Sequence, residues 1–188
     1  MKTKSLLFLF AVAVLLQLAV PASMIAKRER VLREGQVFKF RTAPVDPYDA
    51  FRGRFVALSL EERSVPLIGD TSFVNGEKVY AMIEEDADGF ARFAALSRTW
   101  PGAKPFLATR IQYVNHTNAF LHLPFDRFYM EESQAPAAEK AYWEHSRRTN
   151  RTAYIQVRIQ NGFGVIEDLY LDGTPIRQYL AQQPTADR

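Results

Sequence analysis

The chain opens MKTKSLLFLFAVAVLLQLAVPASMIAKRER, and the apolar run from Leu6 to Ala26 is the strongest single constraint on its fold. Gln17, Pro21 and Ser23 interrupt that run, Lys2 and Lys4 precede it, and Lys27, Arg28 and Arg30 follow it at once. About twenty apolar residues form a helix long enough to cross the hydrocarbon core of a bilayer. Residues 1–27 therefore read as a membrane anchor or as a signal peptide, with Val20-Pro21-Ala22 as an acceptable small-residue cleavage site. The anchor is favoured, because the apolar run continues past that site through Met24 and Ile25 and basic residues stand directly behind it. Both readings predict one amino-terminal helix and a soluble domain after it.

Orientation is contested within the same segment. Lys2, Lys4 and the amino terminus compete with Lys27, Arg28, Arg30 and Arg33, a balance that alone keeps the domain in the cytosol. The signal-anchor-like start argues for export. The expectation adopted is a single-pass anchor with its domain on the exported, periplasmic face.

The remainder of the 188 residues suffices for one domain, placed at 28–178, with 179–188 as a polar tail expected to fray. No cysteine is present, which excludes disulfides, thiolate catalysis and cysteine metal sites. A net charge of +3 without a basic stripe gives no support to nucleic-acid binding.

Strand periodicity dominates this domain. Val56, Leu58 and Leu60 alternate with Phe55, Ala57 and Ser59, and Leu107, Thr109, Ile111 and Tyr113 form a second alternating set. Ile155, Val157 and Ile159 alternate with Gln156, Arg158 and Gln160, then meet Asn161-Gly162, a strong hairpin signal. A return strand, Val165 to Leu171, ends at Asp172-Gly173. The segment VYAMIEEDADGFARFAAL reads the same way: strand, Asp88-Gly89 turn, strand. Both units carry a Tyr, an apolar strand, Gly-Phe and a Leu at one offset from the glycine, although the Tyr-to-Gly spacing differs by one residue. FRGRFVALSLEE and LPFDRFYMEES echo each other ahead of the two units. An internal duplication and a chance likeness between hairpins both account for this.

One helix is expected at Ala135–Arg148, with Ala138, Ala141, Tyr142 and His145 near one face and Ser133 as its cap. The fold class is thus mainly β (β-rich α+β). Antiparallel hairpins, read as two related β units, form one sandwich- or barrel-like domain with one short helix behind a transmembrane helix.

The densest cluster of charge and turn residues is DPYDAFRGRF, Asp46 to Phe55. Pro44 and Pro47 restrict the backbone, Asp46 and Asp49 suit turns, and Gly53 permits a close approach or a positive φ. Arg52 and Arg54 can pair with those aspartates. A rigid charged loop entering a core strand explains these residues without any ligand. The functional reading makes Asp46, Asp49, Arg52, Gly53, Arg54 and Phe55 a contact surface for a polar ligand or partner.

The pattern PVDPYDAFRGRFVALSL resembles the GDYXXLXY family, named for its own motif. Gly53 and Leu58 match the motif, Phe55 stands for its first Tyr, Arg54 replaces its Asp and Leu60 its last Tyr. RFYMEES, Arg127 to Ser133, and VIEDLYLDGTPI, Val165 to Ile176, resemble later family landmarks. The resemblance implies a bacterial protein with one amino-terminal anchor and a β-rich soluble domain. It supplies no activity, and the changes at Arg54 and Leu60 weaken any role carried by the family's Asp or last Tyr.

Familiar catalytic motifs are missing. His116, His122 and His145 show no metal spacing, and there is no nucleophile elbow, P-loop or dinucleotide fingerprint. His122, alternating with Leu121 and Leu123, should face solvent or pack at a strand edge, and His116 should lie in a turn. Trp100-Pro101-Gly102 reads as a turn with an aromatic lid, and Arg147, Arg148 and Arg151 as a basic patch. No cofactor is expected. The bilayer, reached through the helix, and another membrane protein are the expected partners, the family resemblance implying a multi-spanning one, and the expected function is that of a tethered, non-enzymatic binding or accessory module. The alternative is a tethered envelope hydrolase using Asp46 or Asp49 as acid or base.

Overall fold

The computed structural model describes residues 3–44, 55–67, 72–147 and 152–182. The apolar run lies in a single helix, α1 (Thr3–Glu34), which continues past Pro21. Its leucines, phenylalanines and other large apolar side chains are exposed on all sides, from Leu6 to Ile25. A helix apolar all round has no solvated face to offer water. By length and composition it can cross a membrane.

Past Ile25 the helix meets the domain. Val31 is buried, and α1 packs on β10 (Ala153–Gln160) and β11 (Phe163–Leu171). The Gly35 N–H donates to the Val31 carbonyl at 2.8 Å, ending the helix, and the chain turns directly into β1 (Gln36–Ala43). A Cβ on Gly35 would stand 2.5 Å from that carbonyl oxygen, so only glycine fits without a shift.

Two five-stranded sheets make the domain. The first has the order β12 (Thr174–Pro175), β11, β10, β1, β3 (Ser59–Leu60). The second has the order β4 (Ser64–Pro66), β8 (Asn118–His122), β7 (Phe106–Val114), β5 (Lys78–Glu85), β6 (Ala91–Ser97). Its edge strands β4 and β6 touch, so it curls into a nearly closed barrel. A two-stranded ribbon joins β2 (Phe55–Ala57) to β9 (Arg127–Tyr129). The mainly β class is therefore correct.

The pairing between halves is reciprocal. β1 precedes the β5–β6 hairpin in sequence but pairs with β10, while β7 precedes the β10–β11 hairpin but pairs with β5. The two echo segments meet in the ribbon, with Phe55 opposite Tyr129 and Val56 opposite Phe128. Both hairpins bulge on the return strand, at Ala94 and at Glu167, each five positions beyond the glycine of its turn.

One core serves both sheets. Phe40 on β1 stacks on Phe93 of β6 and lies against Phe125, which precedes β9. Val56, Leu58, Leu60, Ile155, Val157 and Ile159 are buried, as their alternation predicts. Asn161 and Gly162 both take positive φ, 51° and 76°, the two-residue turn that matches the twist of the flanking strands. The Gly162 carbonyl accepts from Ala108 N–H at 2.8 Å, locking this turn onto the other sheet.

Three local expectations need correction. A register shift between Ile111 and Tyr113 breaks the alternation of β7, and Tyr113 is exposed rather than inward with Ile111. The predicted helix is α2 (Ala135–Ser146); its N-cap is Gln134, with no side-chain cap bond, and not Ser133. A further helix, α3 (Ile176–Gln182), follows the Asp172-Gly173 turn and covers part of the segment expected to fray.

Candidate functional site

Of the predicted contact residues, Asp46, Asp49, Arg52, Gly53 and Arg54 lie outside the described residues. Phe55 is described, and both ends of the intervening segment are firmly held. At the first end, Thr42 is buried and its hydroxyl donates to the Ala153 carbonyl at 2.9 Å. Beside it the Tyr142 hydroxyl donates to the Ala43 carbonyl at 2.8 Å, and burial pushes that phenol's pKa up. At the second end, Phe55 packs 5.8 Å from the Tyr129 ring, and the Arg127 guanidinium lies 5.0 Å from the Phe55 centroid. Leu58, the Leu retained in the motif window, is a core residue whose N–H donates to the Asp126 carbonyl.

Next to this ribbon is a cleft of about 620 Å³ between β9, β11, the end of α1 and α3. Arg28, Arg127 and Arg177 bring cations to it from three elements distant in sequence. Asp126 and Glu167 bring carboxylates, and Tyr129, 62% exposed, forms part of the wall. The carboxylates are partly committed: Glu167 pairs with Arg158 at 2.9 Å and accepts from Gln156, while Asp126 lies 3.6 Å from Arg127. Arg177 is exposed and lies 5.8 Å from the Phe128 ring centroid. The Arg28 side chain is exposed and makes no ion pair or hydrogen bond among the described residues. Nearby Asp168 has its pKa raised, chiefly by burial, against the opposing pull of the Leu169 N–H and of Arg177. The three segments that carry the family resemblance therefore converge, since β2 pairs with β9 and the cleft separates β9 from β11.

Other charged groups serve the fold. Arg41 on β1 binds Asp86 and, at 2.8 Å, Asp88, and its guanidinium covers the Phe90 ring at 4.0 Å. Asp86 Oδ1 also accepts the N–H groups of Asp88 and Phe90, building the hairpin turn. The Arg41 hydrogen bond leads the causes that lower the Asp86 pKa. His145 is fully buried; its Nδ1 lies 2.7 Å from the Ala141 carbonyl and its Nε2 2.9 Å from Asp172, joining α2 to the turn before α3. His122 faces solvent and His116 lies in a bend, as expected. Trp100 caps Phe106 edge-on at 4.7 Å, matching the lid reading. Arg147 stacks 4.1 Å from the Trp143 ring, and Arg148 and Arg151 lie outside the described residues. Among the described residues no group of three His, Asp or Glu side chains could hold a metal ion.

Sequence reasoning missed Arg28 and Arg177 as cleft residues. Arg127 and Tyr129 stood inside a quoted landmark, but only strand pairing shows that they flank Phe55.

No curated protein and no solved structure matches the chain. The GDYXXLXY protein model matches residues 17–169, which takes in the end of the apolar run, the motif window, the ribbon and all but the last two residues of the β10–β11 hairpin. The chain belongs to the GDYXXLXY family.

Proposed function

We propose that this protein is a membrane-tethered, non-enzymatic binding or accessory module whose partner is another membrane protein. The observation that carries this reading is the continuity of α1. The exposed apolar stretch runs without a break into helical turns that pack on β10 and β11, with Val31 buried. A domain joined in this way is held close to the bilayer in a restricted orientation. Tethering raises its effective concentration toward membrane partners, so a modest contact surface suffices.

The contact surface proposed is the segment Asp46 to Arg54 together with Phe55. Its support is the pinning of the described ends by Tyr142, Thr42 and Tyr129. We place the domain on the exported side, on the signal-anchor-like start. The hydrolase alternative rests on Asp46 and Asp49, which lie outside the described residues.

The same reading takes the two halves as related units. Its support is the reciprocal pairing of β1 and β7, the echo segments meeting in the ribbon, and the matching bulges.

Crosslinking in native membranes, followed by identification of the crosslinked protein, tests the partner. A multi-spanning protein recovered with the wild-type chain and lost with Asp46→Ala is the expected result. Equal recovery with both chains rules out this loop as the contact, and recovery of no membrane protein rules out the function.

A further inference from the structure

We infer that the cleft between β9, β11, α1 and α3 seats the phosphodiester headgroup of an anionic phospholipid. This rests on the tethering of α1 proposed above. Arg28 lies three residues beyond Ile25, about 4.5 Å along the helix axis at 1.5 Å per residue. A cleft with Arg28 in its wall therefore opens where the apolar span ends, at the depth of lipid headgroups.

The chemistry of the wall suits an anionic headgroup. Arg28, Arg127 and Arg177 converge from α1, β9 and α3 on one space of about 620 Å³, enough for a headgroup. Guanidinium groups present paired donors that match phosphate oxygens. The opposing charges in the wall are Asp126 and Glu167, of which Glu167 is held by Arg158 outside the cleft lining, and Asp168 beside the cleft acts on Arg177. The Arg28 and Arg177 side chains are exposed and make no ion pair or hydrogen bond among the described residues, although Arg177 lies in the field of Asp168 and 5.8 Å from the Phe128 ring. Tyr129, exposed at the wall, offers the amphipathic ring that favours the membrane–water boundary. On the neighbouring face of α1, the Lys27 ammonium is 4.1 Å from the Phe163 centroid, which fixes the approach of the helix to the cleft.

A juxtamembrane basic cluster attracts anionic lipid without any site, and the experiment separates the two cases. Full-length protein is reconstituted into phosphatidylcholine nanodiscs with and without phosphatidylglycerol, and bound lipid is counted by native mass spectrometry. Retained phosphatidylglycerol should fall about five-fold in Arg177→Gln, a residue remote in sequence from the anchor, and by a similar factor in Arg28→Gln. Arg30→Gln, which alters juxtamembrane charge outside the cleft, should leave retention near wild type. An unchanged melting temperature confirms that Arg177→Gln is folded; should it unfold, Arg177→Lys replaces it and must lose retention through the missing fork of donors. Equal losses in Arg30→Gln and Arg177→Gln overturn the site in favour of diffuse attraction, and no loss in Arg177→Gln overturns it outright. Displacement of the lipid by inorganic phosphate reassigns the cleft to a soluble anion and overturns the lipid assignment. Failure of the chain to enter pure phosphatidylcholine discs removes the tether, and this proposal with it; entry without lipid preference removes the site alone.

Discussion

The Lys27 ammonium sits 4.1 Å from the centroid of the Phe163 ring, tying the end of the apolar helix to the return strand of the β10–β11 hairpin. With Val31 buried and the Gly35 N–H on the Val31 carbonyl, the joint between helix and domain is packed and not a free linker. Gly35→Ala tests this joint. Its Cβ would meet backbone at 2.5 Å, so helix end or strand must move. We expect a loss of about 1–3 kcal/mol in domain stability and faster amide exchange at position 35 in the variant. Wild-type exchange there would show the joint to be loose.

Phe40 is the keystone of the shared core. Truncating it removes contacts to Phe93 on one sheet and to Phe125 at the entry to β9. Phe40→Ala should cost about 3–5 kcal/mol in denaturant unfolding, with both sheets lost in one transition. Two separate transitions would mean that the sheets are independent units.

Gly164→Ala probes the same core from the opposite side. A Cβ at this position would lie 2.6 Å from the Phe125 ring, which is already packed against Phe40. Overpacking of about 1–3 kcal/mol is expected. A neutral substitution would show that the Phe125 ring has room to retreat.

Two aspartates predict opposite pH behaviour. Arg41 holds the Asp86 pKa below the ordinary carboxylate range, so its folded value lies under its unfolded one. Its contribution is present above the unfolded value and disappears as pH falls through the folded value. Asp86→Asn should therefore lower the melting temperature at neutral pH and converge with wild type in acid. Burial raises Asp168, so its contribution is complete below the unfolded value and is lost as pH rises through the folded one. Asp168→Asn should raise the melting temperature at neutral pH. Melting curves that shift in the reverse directions would contradict both assignments.

The local parts of this architecture were legible because strands announce themselves within a few residues. Ile155, Val157 and Ile159 alternate over a strand that Asn161-Gly162 terminates, and burial follows that period closely. The union of β1 with β10 was not legible, since Phe40 lies opposite Ile155 by a pairing that no local pattern encodes. Tyr113 was misplaced because a bulge inverts a strand's faces and leaves no mark in the alternation. α3 escaped notice because seven residues with no acidic residue in the first turn give a weak helical signal. The cleft was half visible. Arg127 and Tyr129 fell in a recognised segment, whereas Arg28 reads as anchor flank and Arg177 as tail until the fold brings them together.

Tyr142→Phe examines the pinned start of the segment that carries Asp46 and Asp49. The change deletes one hydrogen bond to the Ala43 carbonyl and leaves the ring in place. A cost of about 1 kcal/mol is expected, with faster amide exchange at the end of β1. No change in either quantity would show that strand pairing and the Thr42–Ala153 bond hold this end without the phenol.

The most direct test of the account is alkaline carbonate extraction of membranes carrying the full-length chain, with mass analysis of its amino terminus. We predict that the protein stays in the membrane pellet and retains the residues before Pro21. Release into the carbonate supernatant, or a mature chain beginning after Ala22, would contradict the tether on which the proposed function stands.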